Sequence, residues 1–272
     1  MTQRNDHTGP ESSSSSYQGF VTAVLSDREQ LFGEVVEGSE LTRKLRYSVA
    51  TLLVLTAFYG LWAGAYAGPL QAVSAAVKLP VLILATLVIC FPAFFVVQIL
   101  VGSRLRFSQV LVLVLVALDL TAILLAAFVP VTVFFLITGA NYYFLQLLHV
   151  LAVLVAGAFG MYALHEGLAV VCERRGVYPR KALTIMRAWA LLFAFVGIQM
   201  AWNLRPFLGD RGEPFRVFRS YEGNFYAAIV YSVNKLLKGE GEPSREETGE
   251  QSSIIDDLLA SPADSAGAPE QR

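Results

Sequence analysis

An aspartate stands in the middle of an apolar run: Asp119, within Phe107–Val129. The run is long enough to cross a bilayer, for which a helix needs about 20 apolar residues. A carboxylate at that depth costs about 2.5–3.5 kcal/mol even on the mildest insertion scale, so its presence calls for a partner or a task. His149 is the candidate partner. Asp119 lies ten residues before the outer end of its run, and His149 lies seven residues inside the outer end of the run Tyr142–Leu164. At 1.5 Å per residue those depths are about 15 and 10 Å. Ala122 and Ala126 follow Asp119 at helical spacing, and Ala152, Ala156 and Gly160 follow His149. Small-residue faces of this kind let membrane helices approach closely, so both polar groups are expected to point into a bundle as an intramembrane pair. Two roles are open to them. One is an interhelical hydrogen bond that fixes packing, with Thr121 or Gln146 as further partners; the other is a proton-titrating or ion-binding site. No second carboxylate completes a relay, which favours the packing role.

A second layer of polar residues falls near the cytoplasmic side. His165 and Glu166 end the fourth apolar run, and Arg187 lies inside the fifth. Glu166 and Arg187 are expected as an interfacial ion pair, the alternative being that Arg187 snorkels its charge to the interface. His165-Glu166 is half of a zincin motif, but Val170 occupies the position where the second histidine belongs, so no metal site follows. Cys90 and Cys172 have neither metal-ligand spacing nor the pattern of a disulfide framework. There is no phosphate loop, nucleophile elbow or CxxC pair. No catalytic residue, cofactor or metal is expected, and the chain reads as a non-enzyme.

Composition fixes the class of protein that holds these residues. Over 272 residues the hydrophobic share is 55% and the charged share 16%, with a mean hydropathy of +0.53. A soluble domain carries about 45–50% apolar residues. A net charge of −1 lacks the basic stripe that nucleic-acid binding requires. Five apolar runs are long enough to span: Tyr47–Ala67, Leu79–Val101, Phe107–Val129, Tyr142–Leu164 and Ala182–Leu204. The fold class expected is an all-α polytopic bundle of five transmembrane helices with flanking interfacial amphipathic helices. Pro92 removes a backbone donor inside the second span and is expected to kink it, while Pro130 closes the third. The stretch Pro130–Asn141 is too short to cross, and is either a tilted extension of the third helix or a turn at the surface. Gly60 and Gly64 form a GxxxG face in the first span, flanked by Ala57, Ala63 and Ala67, expected to be used within the bundle.

Lysine and arginine in the short loops set the orientation. Arg43, Lys44 and Arg46 precede the first span, Arg104 and Arg106 separate the second from the third, and Arg174, Arg175, Arg180 and Lys181 lie between the fourth and fifth. Lys78 alone faces them across the membrane between spans one and two. A cytoplasmic N-terminus fits this alternation, against which stand Arg205, Arg211, Arg216 and Arg219 beyond the fifth span.

The regions outside the spans divide by composition. Residues 1–18, with Ser12–Ser16, form a disordered tail, and 19–46 hold an amphipathic helix over about 19–37 and a basic juxtamembrane segment. Gly38 is placed to stop that helix. After the transmembrane domain, 47–204, the segment 205–238 carries a short interfacial helix over 225–237 begun by Asn224. The tail 239–272 is disordered and acidic, with nine carboxylates against two arginines from residue 240 onward. Its one apolar island is Ile254-Ile255-Asp256-Asp257-Leu258-Leu259.

Asp27-Arg28 ahead of Leu31-Phe32, Lys78-Leu79-Pro80, and Arg205-Pro206-Phe207 followed by Glu222-Gly223-Asn224-Phe225-Tyr226 run through residues 20–238. On these the chain resembles a group of uncharacterised bacterial multi-span membrane proteins. The five-span layout with an inner N-terminus also resembles the Yip1 family, which the resemblance would make a membrane-trafficking fold working through partner contacts. That family's Asp-Leu-Tyr-Gly-Pro motif is absent here, and the acidic tail is longer than its usual C-terminus. The expected function is a non-enzymatic membrane scaffold or adaptor of the bacterial inner (plasma) membrane. The competing expectation is a proton- or ion-coupled transporter or channel component using Asp119 and His149. Expected partners are the lipid bilayer and other membrane proteins or a second copy of the chain, with no nucleic acid.

Overall fold

A computed structural model of the chain describes residues 16–100, 105–139, 141–175, 179–204, 207–208 and 233. In order, the helices are α1 (Tyr17–Ser26), α2 (Arg28–Glu37), α3 (Leu41–Gly64), α4 (Pro69–Leu100), α5 (Phe107–Ala127), α6 (Val129–Ile137), α7 (Tyr142–Arg175) and α8 (Pro179–Leu204). No strand occurs among the described residues. The interfacial helix expected over 225–237 and the tail 239–272 lie outside them, Val233 apart, as do residues 1–15 of the N-terminal tail.

Local chemistry sets the helix ends. Ser16 caps α1, its hydroxyl accepting from the Gly19 N–H at 3.1 Å. Gly38 ends α2 in the left-handed conformation (φ 84), its N–H returning to the last carbonyls. Pro69 opens α4, where its missing donor costs nothing. Asn141 caps α7 by accepting from the Phe144 N–H at 2.8 Å.

Four helical segments are long and apolar enough to cross a membrane: Leu41–Gly64, Pro69–Ile99, Phe107–Ile137 and Tyr142–Arg174. The third departs from expectation at its outer end. Pro130 does not close the span; it sits in the first turn of α6, where a fixed φ and no N–H suit it. The chain steps at Phe128 and continues, so the stretch after Val129 extends the third helix.

α5 is the central element, packed against α3, α7, α1, α2, α4 and α6. Its residues Val112 to Ala117 are all buried. α3 lies between α5 and α4. Cβ atoms added at Gly60 and Gly64 would stand 2.5 Å from the carbonyl oxygens of Ala75 and Gln71, so the GxxxG face is where α3 meets the backbone of α4. α4 keeps both Pro80 and Pro92 inside its length, and the Trp189 indole of α8 donates to the Cys90 carbonyl at 3.0 Å. Val73, Val77, Val81, Val88 and Val96 of α4 form an exposed apolar stripe of the kind lipid tails cover.

The amphipathic stretch, which the sequence places on the membrane or against the bundle, is two helices broken at Asp27 and packed against the bundle. Phe20, Val24, Leu31, Phe32 and Val35 are buried in the main core together with α5 and the end of α7. α7 has 34 residues, about 51 Å at 1.5 Å per residue, against a hydrocarbon layer of about 30 Å. The surplus turns give α2 a wall to dock on. Gly167 of α7 makes room for the Phe32 ring, which a Cβ there would meet at 2.9 Å.

Candidate functional site: two polar layers on one helix face

α3 carries Lys44, Ser48, Thr51, Thr56 and Tyr59, all buried. Their spacing places them along one side of the helix, and each reaches a different element or its own backbone. The Ser48 hydroxyl donates to Asp119 Oδ2 on α5. Eleven residues further along α3, Tyr59 Oη is hydrogen-bonded to His149 Nδ1 on α7 at 2.7 Å, the two rings meeting edge to face.

The expected Asp119–His149 pair is therefore not formed. Ser48 and Tyr59 act as a ruler: eleven residues at 1.5 Å each separate the two layers by about 16 Å. α7 gives the same answer. Gly160 packs against the Ala117 carbonyl and the Thr121 side chain of α5, so the level of Asp119 on α7 is eleven residues beyond His149. The sequence depths were measured from Val129, but α6 moves the outer end of the third helix to Ile137 and leaves Asp119 correspondingly deeper. The inward orientation of both faces is as expected: Ala122, Ala152 and Ala156 are buried beside them.

Between the layers the interior is apolar. Leu52, Ala122, Leu125, Ala152 and Ala156 are buried there. Thr56 turns its hydroxyl back to the Leu52 carbonyl at 2.6 Å. Asp119 itself is 0% exposed, and its second oxygen, Oδ1, is buried without a hydrogen-bond partner.

The Glu166–Arg187 pairing is also replaced. Glu166 Oε2 accepts from Arg28 Nε of α2 at 3.0 Å, and Arg187 is exposed on α8. Docking of α2 on α7 brings Arg28 to the acid. Two further pairs fasten α2: Lys44 Nζ to Glu34 at 3.0 Å, with a bond to the Ser39 carbonyl at 2.7 Å, and Arg174 to Glu37. Gln109, at the start of α5, donates to the Val35 and Val36 carbonyls at 3.0 and 2.8 Å. It thereby ties the start of α5 to the last turn of α2.

Ser48, Tyr59, Glu34 and Gln109 were not singled out from the sequence, and Lys44 only as one of the charges that orient the first span. The signal existed in the polar positions of α3 at helical spacing, but hydroxyls and a tyrosine near a span's ends are common enough to carry no weight without a partner in view. Among the described residues no group of three His, Cys, Asp or Glu side chains is placed to hold a metal ion.

Four apolar helices of spanning length, packed around buried polar contacts, define a multi-pass helical membrane protein. Comparison with family models, curated proteins and solved structures gave no match.

Proposed function

We propose that the chain is a non-enzymatic scaffold or adaptor of the bacterial inner membrane, crossing it five times with the N-terminus cytoplasmic. The observation that carries this reading is how its buried polar groups are used. Ser48 with Asp119, Tyr59 with His149, Lys44 with Glu34, and Gln109 with α2 each join two elements at one contact. They work as fasteners, and the apolar layer between the first two separates them. α8, with 26 residues packed against α4 and α7 and with Leu191, Leu192 and Phe195 exposed, supplies the fifth span. The α1–α2 unit then becomes a fixed cytoplasmic platform, since its apolar face is already consumed within the chain.

The test is photo-crosslinking in cells from Gln30 on the exposed side of α2 and from the 239–272 tail. A reproducible partner at either position is expected; capture of lipid alone would count against the reading. A second reading, proton- or ion-coupled transport through Asp119 and His149, draws support from the unpartnered Asp119 Oδ1. Asp119→Asn in vesicles loaded with a pH dye distinguishes the two: unchanged flux leaves the scaffold reading, and abolished flux replaces it with transport.

A further inference from the structure

Around Asp119 the hydroxyl groups are arranged on one side only. Ser48 donates to its Oδ2. Thr51, three residues on from Ser48, occupies the neighbouring position on the same face of α3, where side chains sit about 5–6 Å apart at Cβ. The Thr51 hydroxyl in turn bonds the Tyr17 hydroxyl of α1 at 3.2 Å. Ser48 and Thr51 are fully buried, whereas Tyr17 is 42% exposed. A file of three hydroxyls thus leads from the surface at α1 to a carboxyl with no exposure. Beyond Thr51 the hydroxyls turn aside to α1 and do not continue along α3. Leu52, Ala122, Leu125 and Ala156 fill the space towards the Tyr59–His149 layer, and the Thr56 hydroxyl is engaged with its own backbone.

We propose that Asp119 is a proton-binding site that exchanges with the α1 side of the bundle through Ser48, Thr51 and Tyr17, and is insulated from the Tyr59–His149 layer. The inference goes beyond the scaffold reading and does not depend on it. One oxygen of this carboxyl is held by Ser48, and the other, Oδ1, is open to a proton in an apolar interior. On release, the carboxyl proton passes to the Ser48 hydroxyl while Ser48 gives up its own proton towards Thr51, and the transfer ends with one proton leaving Tyr17 for water. Each hydroxyl regains one proton, a carboxylate remains on Asp119, and no other bond changes. The step between Ser48 and Thr51, neighbours on one helix face, is completed in this route by hydroxyl rotation or by one bridging water.

The charged side chains on the surrounding elements do not substitute for this route. On α3 and α2, Lys44 is paired with Glu34, and on α2 and α7, Arg28 is paired with Glu166. α1 has no charged residue and α5 none besides Asp119; α3 also carries Arg43, paired with Glu40, and the exposed Arg46, and α7 carries His165 five residues and His149 eleven residues from Gly160, the level of Asp119. α4 contributes only Lys78.

The experiment uses the full chain in vesicles of phosphatidylcholine and phosphatidylglycerol. Infrared difference spectra on transfer to heavy water follow hydrogen–deuterium exchange at the acid carbonyl, assigned with Asp119→Asn. The expected result is an Asp119 acid band whose exchange slows about tenfold or more in Tyr17→Phe and Thr51→Val, the factor that about 1.4 kcal/mol of added barrier produces. Thr51→Ser, which keeps the hydroxyl, should retain the wild-type rate and separates the route from any general loosening. Tyr59→Phe and His149→Ala should also leave the rate unchanged. The proposal is overturned by the absence of an acid band at Asp119, by wild-type exchange in both Tyr17→Phe and Thr51→Val, or by equal slowing in His149→Ala.

Discussion

Removing the Glu34 carboxylate should release α2 from the bundle. Lys44 is 1% exposed, and its ammonium reaches only inward-facing groups: Glu34 at 3.0 Å and the Ser39 carbonyl at 2.7 Å. Glu34→Ala leaves that ammonium buried with one carbonyl. Taking away one partner of a buried ion pair costs about 3–5 kcal/mol. Here the Ser39 bond survives, and the Glu34 side chain is 16% exposed, which lets water reach the vacated position. The lower end, about 3 kcal/mol, is therefore expected, equivalent to about a 150-fold shift in the docking equilibrium. Hydrogen exchange at the amides of Leu31 to Gly38, in the full chain held in lipid nanodiscs, reads that shift directly. The double variant Glu34→Leu with Lys44→Met should restore most of the protection, because a buried ion pair replaced by apolar residues of similar volume is often neutral. Protection in Glu34→Ala within about threefold of wild type, less than 1 kcal/mol, would refute the reasoning. So would a double variant as open as the sum of the single ones.

Three other outcomes follow from the packing. Gly60→Ala puts a methyl 2.5 Å from the Ala75 carbonyl, whereas Gly157→Ala meets nothing within 4 Å; the first should lose about 1–3 kcal/mol in reversible unfolding from mixed micelles and the second almost none. Gln109→Leu removes the two side-chain hydrogen bonds that tie α5 to the Val35 and Val36 carbonyls, and should cost about 1 kcal/mol, read as faster exchange in α2 with α3 and α4 unaffected. Ser48→Ala and Tyr59→Phe, some 16 Å apart along α3, should add within about 0.5 kcal/mol in an unfolding cycle; strong coupling would show that the two layers are one network.

Most of the helical plan was legible in the sequence because bilayer thickness demands long apolar runs, and such runs are visible without any partner. Gly38 as a helix stop, the inward small-residue faces of Asp119 and His149, and the use of Gly60 and Gly64 inside the bundle were readable for the same reason: each is a local property of one segment. The course of the third helix was left between two alternatives, an extension past Pro130 or a surface turn, and the structure takes the extension. Pro130 reads alone as a terminator, but one step at Phe128 turns it into the start of α6.

The partners of the candidate site belonged to the tertiary structure alone. Which hydroxyl faces Asp119, and which ring faces His149, depends on the relative depth of helices separated by scores of residues, and moving the outer end from Val129 to Ile137 set Asp119 about 12 Å deeper. Likewise, charge alternation along the loops could offer Glu166 an arginine, but only the docking of α2 on the surplus turns of α7 decided that it is Arg28. The sequence by itself determined that this chain is built to live in a membrane and that it carries an acid there, since hydrophobicity acts residue by residue. The fold decided what that acid touches, because a hydrogen bond acts only between atoms that packing has already brought together.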